Sequence, residues 1–96
     1  MDIVRVTGSV VATAKTPGLS GRALLLVQPI DGSGEPTNVP PYVAVDRVGA
    51  GLDEVVLVAR HRAARLAVDA DVEVDAAIVA IVDAVDMAGR ATYRKA

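Results

Sequence analysis

Short runs of β-branched and aliphatic residues, interrupted every six to ten positions by glycine, proline or a charge, dominate this chain. Ile3-Val4-Arg5-Val6-Thr7-Gly8-Ser9-Val10-Val11-Ala12-Thr13 is rich in side chains that pack well on a pleated surface, and it predicts a long first strand bent or bulged at Gly8. Lys15 to Gly21 carries the turn residues Pro17, Gly18 and Ser20 of a loop. Ala23-Leu24-Leu25-Leu26-Val27-Gln28 follows as an apolar run too short for a buried helix, so a buried strand is expected. Asp31-Gly32 supplies positive-φ positions at little steric cost, and strands two and three should meet across it.

In residues 41–48, Val43 and Val45 fall on one face and Tyr42, Ala44 and Asp46 on the other, the period-two pattern of a half-buried strand. Gly49-Ala50-Gly51 ends it, and residues 54–60 resume strand character. Ala63-Ala64-Arg65-Leu66-Ala67 is the one stretch of good helix formers, a turn or two long and too short to stand alone. Residues 76–86 contain alanines that suit a helix, but Ile78, Val79, Ile81, Val82 and Val85 are stiff at χ1 and predict a strand. Ala88-Gly89-Arg90 then turns the chain into an edge strand or tail at residues 91–95. Five or six strands with one short helix predict a mainly all-β domain, a small closed or partly open barrel spanning residues 1–96.

Composition sharpens this picture. A chain of 96 residues buries only roughly 60–65% of its unfolded surface. Its apolar content is nevertheless 52% before glycine is counted, so part of that surface is expected to face another subunit. Ten Lys and Arg against twelve Asp and Glu give a net charge of −2, and the only aromatics are two tyrosines. That balance removes the electrostatic footprint and the stacking platforms of nucleic-acid binding. Cysteine is absent, which excludes disulfides and thiolate metal sites. No apolar run reaches the length of a membrane span, and the first residues lack the pattern of a secretory signal, so a cytoplasmic location is expected.

The candidate chemical motifs mostly fail. Gly49-Ala50-Gly51-Leu52-Asp53-Glu54 opens like a dinucleotide fingerprint, but Glu54 holds the third glycine position and strand rather than helix follows. Gly18-Leu19-Ser20-Gly21 lacks the spacing of a nucleophile elbow. Asp69, Asp71, Glu73 and Asp75 alternate as calcium ligands could, yet Val74 and Ala80 occupy the places of the EF-hand glycine and glutamate. His61 is the sole histidine, and no metal site or cofactor is indicated. Arg60, His61, Arg62 and Arg65 form a basic cluster that reads either as a solvated helix face or as a docking patch for a neighbour's carboxylates.

Taken in order, several segments resemble the EutN/CcmL family of bacterial microcompartment vertex proteins. They are Val6-Thr7-Gly8-Ser9-Val10-Val11-Ala12-Thr13 with Lys15; Leu19, Gly21 and Leu24-Leu25-Leu26-Val27-Gln28; Val43-Ala44-Val45-Asp46-Arg47-Val48-Gly49-Ala50-Gly51; Glu54-Val55-Val56-Leu57-Val58; Ala63-Ala64-Arg65; and Ile81-Val82-Asp83. The spacing from Asp46-to-Gly51 to Glu54-to-Val58 is the most specific part. Two departures stand out: His61-Arg62 where relatives often have Gly-Ser, and Ala80 where they often have glycine.

The resemblance implies an OB-fold-like barrel, five copies of which form a ring. That ring would cap the five-fold vertices of a polyhedral shell otherwise tiled by hexameric shell proteins, with no catalysis, cofactor, nucleic acid or membrane involved. Gly49, Ala50 and Gly51 are then candidates for a small-residue loop at the five-fold axis, or an ordinary strand–strand turn. Arg60, His61, Arg62 and Arg65 are candidates for subunit or hexamer contacts. Two other functions compete: an OB-type module binding single-stranded nucleic acid, which the acidity opposes, and a small enzyme with a site between subunits built around His61.

Overall fold

The computed structural model describes residues 1–68 and 74–96, so Asp69, Asp71 and Glu73 of the acidic segment lie outside the described residues. Among the described residues, seven strands and one α-helix follow one another: β1 (Asp2–Val10), β2 (Leu24–Pro29), β3 (Tyr42–Asp46), β4 (Val55–Arg60), α1 (His61–Val68), β5 (Ala76–Ile81), β6 (Ala84–Met87) and β7 (Arg90–Arg94). The first five strands close a barrel in the order β1-β2-β3-β5-β4, and β6 and β7 pair separately.

The barrel interior comes from every second residue of its strands. Val4 and Val6, Val27, Ala44, Val56 and Val58, and Ala76 and Ile78 form one buried cluster, with Leu25, Tyr42, Ala50 and Ile81 packed against it. On β3 the two faces separate as the sequence predicts, and the inner one is the Tyr42/Ala44 face. Val43 stays exposed, while Val45 lines a groove with Leu19 and Leu24. A core made of valine, alanine and isoleucine suits a small barrel whose interior is filled by its own side chains.

The bulge falls where Gly8 predicts a bend. Val6 faces Val27 and Gly8 faces Leu26, so Thr7 is the extra residue. β1 stops at Val10, short of the predicted Thr13, because β2 begins at its partner Leu24 and nothing pairs with the residues beyond. The barrel closes through a parallel seam in which Val45 meets Ala77 and Asp46 meets Ile78, extended by the Arg47 N–H donating to the Ile78 carbonyl at 3.3 Å.

The strand predicted over residues 76–86 is in fact two. β5 pairs with β4 up to Ile81 opposite Val56, and the Val82 N–H donates to the Val55 carbonyl at 2.8 Å. β4 starts at Val55, so no partner remains, and the chain pairs onward with β7 instead. The β6–β7 hairpin is anchored on the 31–34 turn: Thr92 Oγ1 donates to the Gly32 carbonyl, and the Met87 side chain occupies the space a Cβ on Gly32 would need. No helix of the described residues is long and apolar enough to cross a membrane.

Candidate functional site

The Gly49-Ala50-Gly51 loop is shaped by the residues at its two ends. Asp46, the last residue of β3, turns its carboxylate back on the chain: Oδ1 accepts the N–H groups of Val48 and Gly49 at 3.0 and 3.2 Å, and Oδ2 accepts that of Ala50 at 2.9 Å. Glu54 Oε1 accepts the Gly51 N–H at 2.6 Å. Gly49 has φ +76, and no atom of its own subunit lies within 4 Å of where a Cβ would project, so within the subunit the glycine serves the backbone turn rather than a tight contact. Ala50 tucks against the barrel core, whereas Gly49, Gly51 and Leu52 face outward, Leu52 being 67% exposed. Sequence reasoning singled out the small residues and missed the two carboxylates. An Asp two residues before the first captured amide is the local signal for Asp46; Glu54 has none.

The basic cluster divides. Arg60, the last residue of β4, turns inward on its own chain: Nη1 pairs with Asp2 Oδ2 at 2.9 Å, and the guanidinium carbon lies 4.3 Å from the centre of the Tyr42 ring. Tyr42 in turn donates its hydroxyl to Asp2 Oδ2 at 2.7 Å. That hydroxyl and then Arg60 hold the Asp2 carboxyl below its ordinary value, against the cost of partial burial. Burial, reinforced by the Asp2 carboxylate, pushes the Tyr42 hydroxyl well above the ordinary tyrosine range. The three residues are far apart in sequence, and nothing local announces their meeting.

His61, Arg62 and Arg65 face outward on α1 and, with Leu66, Val74 and Asp75, line a cleft. Leu66 is 68% exposed, whereas Ala64 on the opposite face is fully buried against the barrel. His61 lies in the left-handed region at φ 57, and its N–H donates to the Asp75 carbonyl at 2.7 Å. This conformation lets the chain reverse from strand into helix within one residue, a place that suits glycine better than a branched side chain. The helix and the glycine loop are joined at their roots, because Arg47 Nε donates to the Ala67 carbonyl at 3.3 Å, a cation at a helix C-terminus. The structure thus brings His61, Arg62 and Arg65 to one cleft and holds Arg60 in a separate internal network.

The cleft offers two guanidinium groups, one imidazole and one carboxylate, and no cluster of three metal-ligating side chains exists among the described residues. Comparison with known proteins identifies the family. The family model described as ethanolamine utilisation protein EutN/carboxysome matches residues 1–83. The carboxysome shell vertex protein CcmL of Synechocystis sp. is 48% identical, covering 99% of this chain and 95% of that protein. A solved carboxysome subunit, CcmL, superposes with a TM-score of 0.92 at 47% identity over the whole of both chains. The GrpN pentameric microcompartment shell protein from Rhodospirillum rubrum gives 0.81 at 39% identity, covering 91% of this chain and 98% of that one. With its five-stranded barrel, short helix and matching sequence from end to end, this chain belongs to the EutN/CcmL family.

Proposed function

We propose that this chain is a structural shell protein of a bacterial microcompartment, a homopentamer that caps the five-fold vertices and closes a shell tiled by hexamers. The observation that carries this reading is the end-to-end likeness to proteins named as shell vertex and pentameric shell proteins. The surface supports it independently. A ring needs two unlike patches, one on each side of every subunit. Two unlike patches are present: an apolar groove where Leu52 lies beside Thr7, Gly8 and Leu25, and the cationic cleft of His61, Arg62, Arg65 and Leu66 on α1.

The whole of residues 1–96 acts as one vertex domain. Gly49, Ala50 and Gly51 approach the five-fold axis, where side chains of a methyl or less let symmetry-related backbones come close. His61, Arg62 and Arg65 make polar contacts at a subunit or hexamer boundary, whereas Arg60 is engaged with Asp2 and Tyr42 inside its own subunit. The role is geometric rather than catalytic: hexagonal tiles alone form flat sheets, and a five-fold piece supplies the curvature that closes them. A net charge of −2 also disfavours the nucleic-acid module an OB-like barrel otherwise suggests.

Co-production with a hexameric shell protein, followed by electron microscopy, tests the role. Closed polyhedra that become open sheets or tubes when this chain is omitted are the expected result. Shells that close equally well without it would overturn the assignment.

A further inference from the structure

The two carboxylates that hold the Gly49-Ala50-Gly51 loop differ in what else they touch. Asp46 commits both oxygens to loop amides, those of Val48, Gly49 and Ala50. Glu54 divides its oxygens: Oε1 accepts the Gly51 N–H at 2.6 Å and Oε2 meets Lys95 Nζ at 2.7 Å. Lys95 is fixed in turn by its backbone, whose N–H donates to the Asp83 carbonyl at 2.8 Å. A second cation reaches the same turn. Arg5 Nη1 donates to the Asp53 carbonyl at 2.9 Å, at a residue with φ 68, and the Arg5 guanidinium carbon lies 5.8 Å from the centre of the Tyr93 ring. Tyr93 and Lys95 both lie beyond the residues 1–83 that the family model matches.

We propose that Lys95, acting through Glu54, is a positioning residue for the Gly51 end of the loop, so that the C-terminal segment sets the shape of its rim. A lone glutamate on a surface turn samples several rotamers; pairing Oε2 with a cation restricts them and aims Oε1 at the Gly51 N–H. Lys95 first, and the Gly51 N–H second, hold the Glu54 carboxyl below its ordinary value. The Asp46 end needs no such help, since both of its oxygens are already engaged by the loop. That the rim lines a five-fold axis rests on the function proposed above; the coupling between tail and loop does not.

The test uses the full chain, labelled with nitrogen-15, and follows the Gly51 amide by NMR in Lys95→Met, which keeps the aliphatic stem and removes the charge. Solvent exchange at Gly51 is expected to accelerate roughly two- to fivefold, the span of an exposed ion pair. The pH midpoint at which its resonance follows Glu54 should rise toward the ordinary 4.5, while the amides of Gly49 and Ala50 stay unchanged. In Glu54→Gln, which retains an acceptor oxygen, Gly51 should loosen similarly and Lys95→Met should add nothing further. An unchanged Gly51 exchange rate and midpoint in Lys95→Met would overturn the coupling, as would equal loosening at Gly49 and Ala50. The mass of the assembled particle, taken on the same samples, reports on the ring separately.

Discussion

Asp2 and Tyr42, at the outer ends of β1 and β3, meet through a 2.7 Å hydrogen bond from the phenol to Oδ2, and the same oxygen accepts from Arg60 at 2.9 Å. The N-terminus is thereby tied across the barrel to two strands with which Asp2 shares little backbone pairing: its one ladder partner is Val58. Replacing Tyr42 with Phe removes the donor and keeps the ring under Arg60. We expect a loss of about 1 kcal/mol in urea unfolding, below the usual value for a hydrogen bond to a charged group because Asp2 is partly solvated.

The same network fixes a pH window. The Asp2 carboxyl is lowered in the folded state, so its contribution is present above the ordinary value of 3.8 and is lost as pH falls through the lower folded value. The Tyr42 hydroxyl is raised, so its contribution is complete below the ordinary value of 10.0 and fades as pH rises above it. Stability should therefore decline at both ends. Tyr42→Phe should flatten the alkaline decline and reduce the acid one, which thermal melts across pH would show; identical profiles in both proteins would contradict the network.

His61 sits at φ 57 at the start of α1. Glycine relieves that strain, worth about 1–2 kcal/mol, but adds freedom to the unfolded chain, worth about 0.4–1 kcal/mol. His61→Gly is expected to stabilise the fold by about 0.5 kcal/mol, and His61→Val, branched at Cβ, to destabilise it by at least about 1 kcal/mol. Chemical denaturation of the two variants beside the parent checks both signs.

Among the described residues Ile78 is the largest fully buried side chain, and it lies inside the barrel beside the β3–β5 seam. Trimming it to Val should cost about 0.5–1.5 kcal/mol, and to Ala about 2–5 kcal/mol, because a closed barrel has little freedom to collapse onto the void. Unfolding midpoints that barely move for Ile78→Ala would place Ile78 outside the core.

Much of the barrel is legible from spacing, because the inward positions Val4/Val6, Val56/Val58 and Ala76/Ile78 repeat with the period of a strand. The bulge beside Gly8 is legible for the same local reason. The break between β5 and β6 is not, since residues 76–86 hold no glycine or proline and are β-branched or small apart from Asp83 and Asp86, and what ends β5 is the start of β4 at Val55, a tertiary fact. The surfaces divide similarly. Gly49, Ala50 and Gly51 announce a turn by themselves, and His61, Arg62 and Arg65 stand close along one helix. Arg60 belongs to the same run in sequence, yet its position at the end of a strand turns it toward Asp2 and Tyr42. No spacing rule connects residues that only the closed barrel brings together.

Assembly into a five-fold ring is the claim on which the function depends, and the mass of the native particle tests it most directly. Native mass spectrometry of the purified 9.9 kDa chain is expected to give a dominant species of about 50 kDa, five copies closed by one repeated contact between unlike patches. A stable monomer across a range of concentrations, or a dominant hexamer of about 59 kDa, would contradict it.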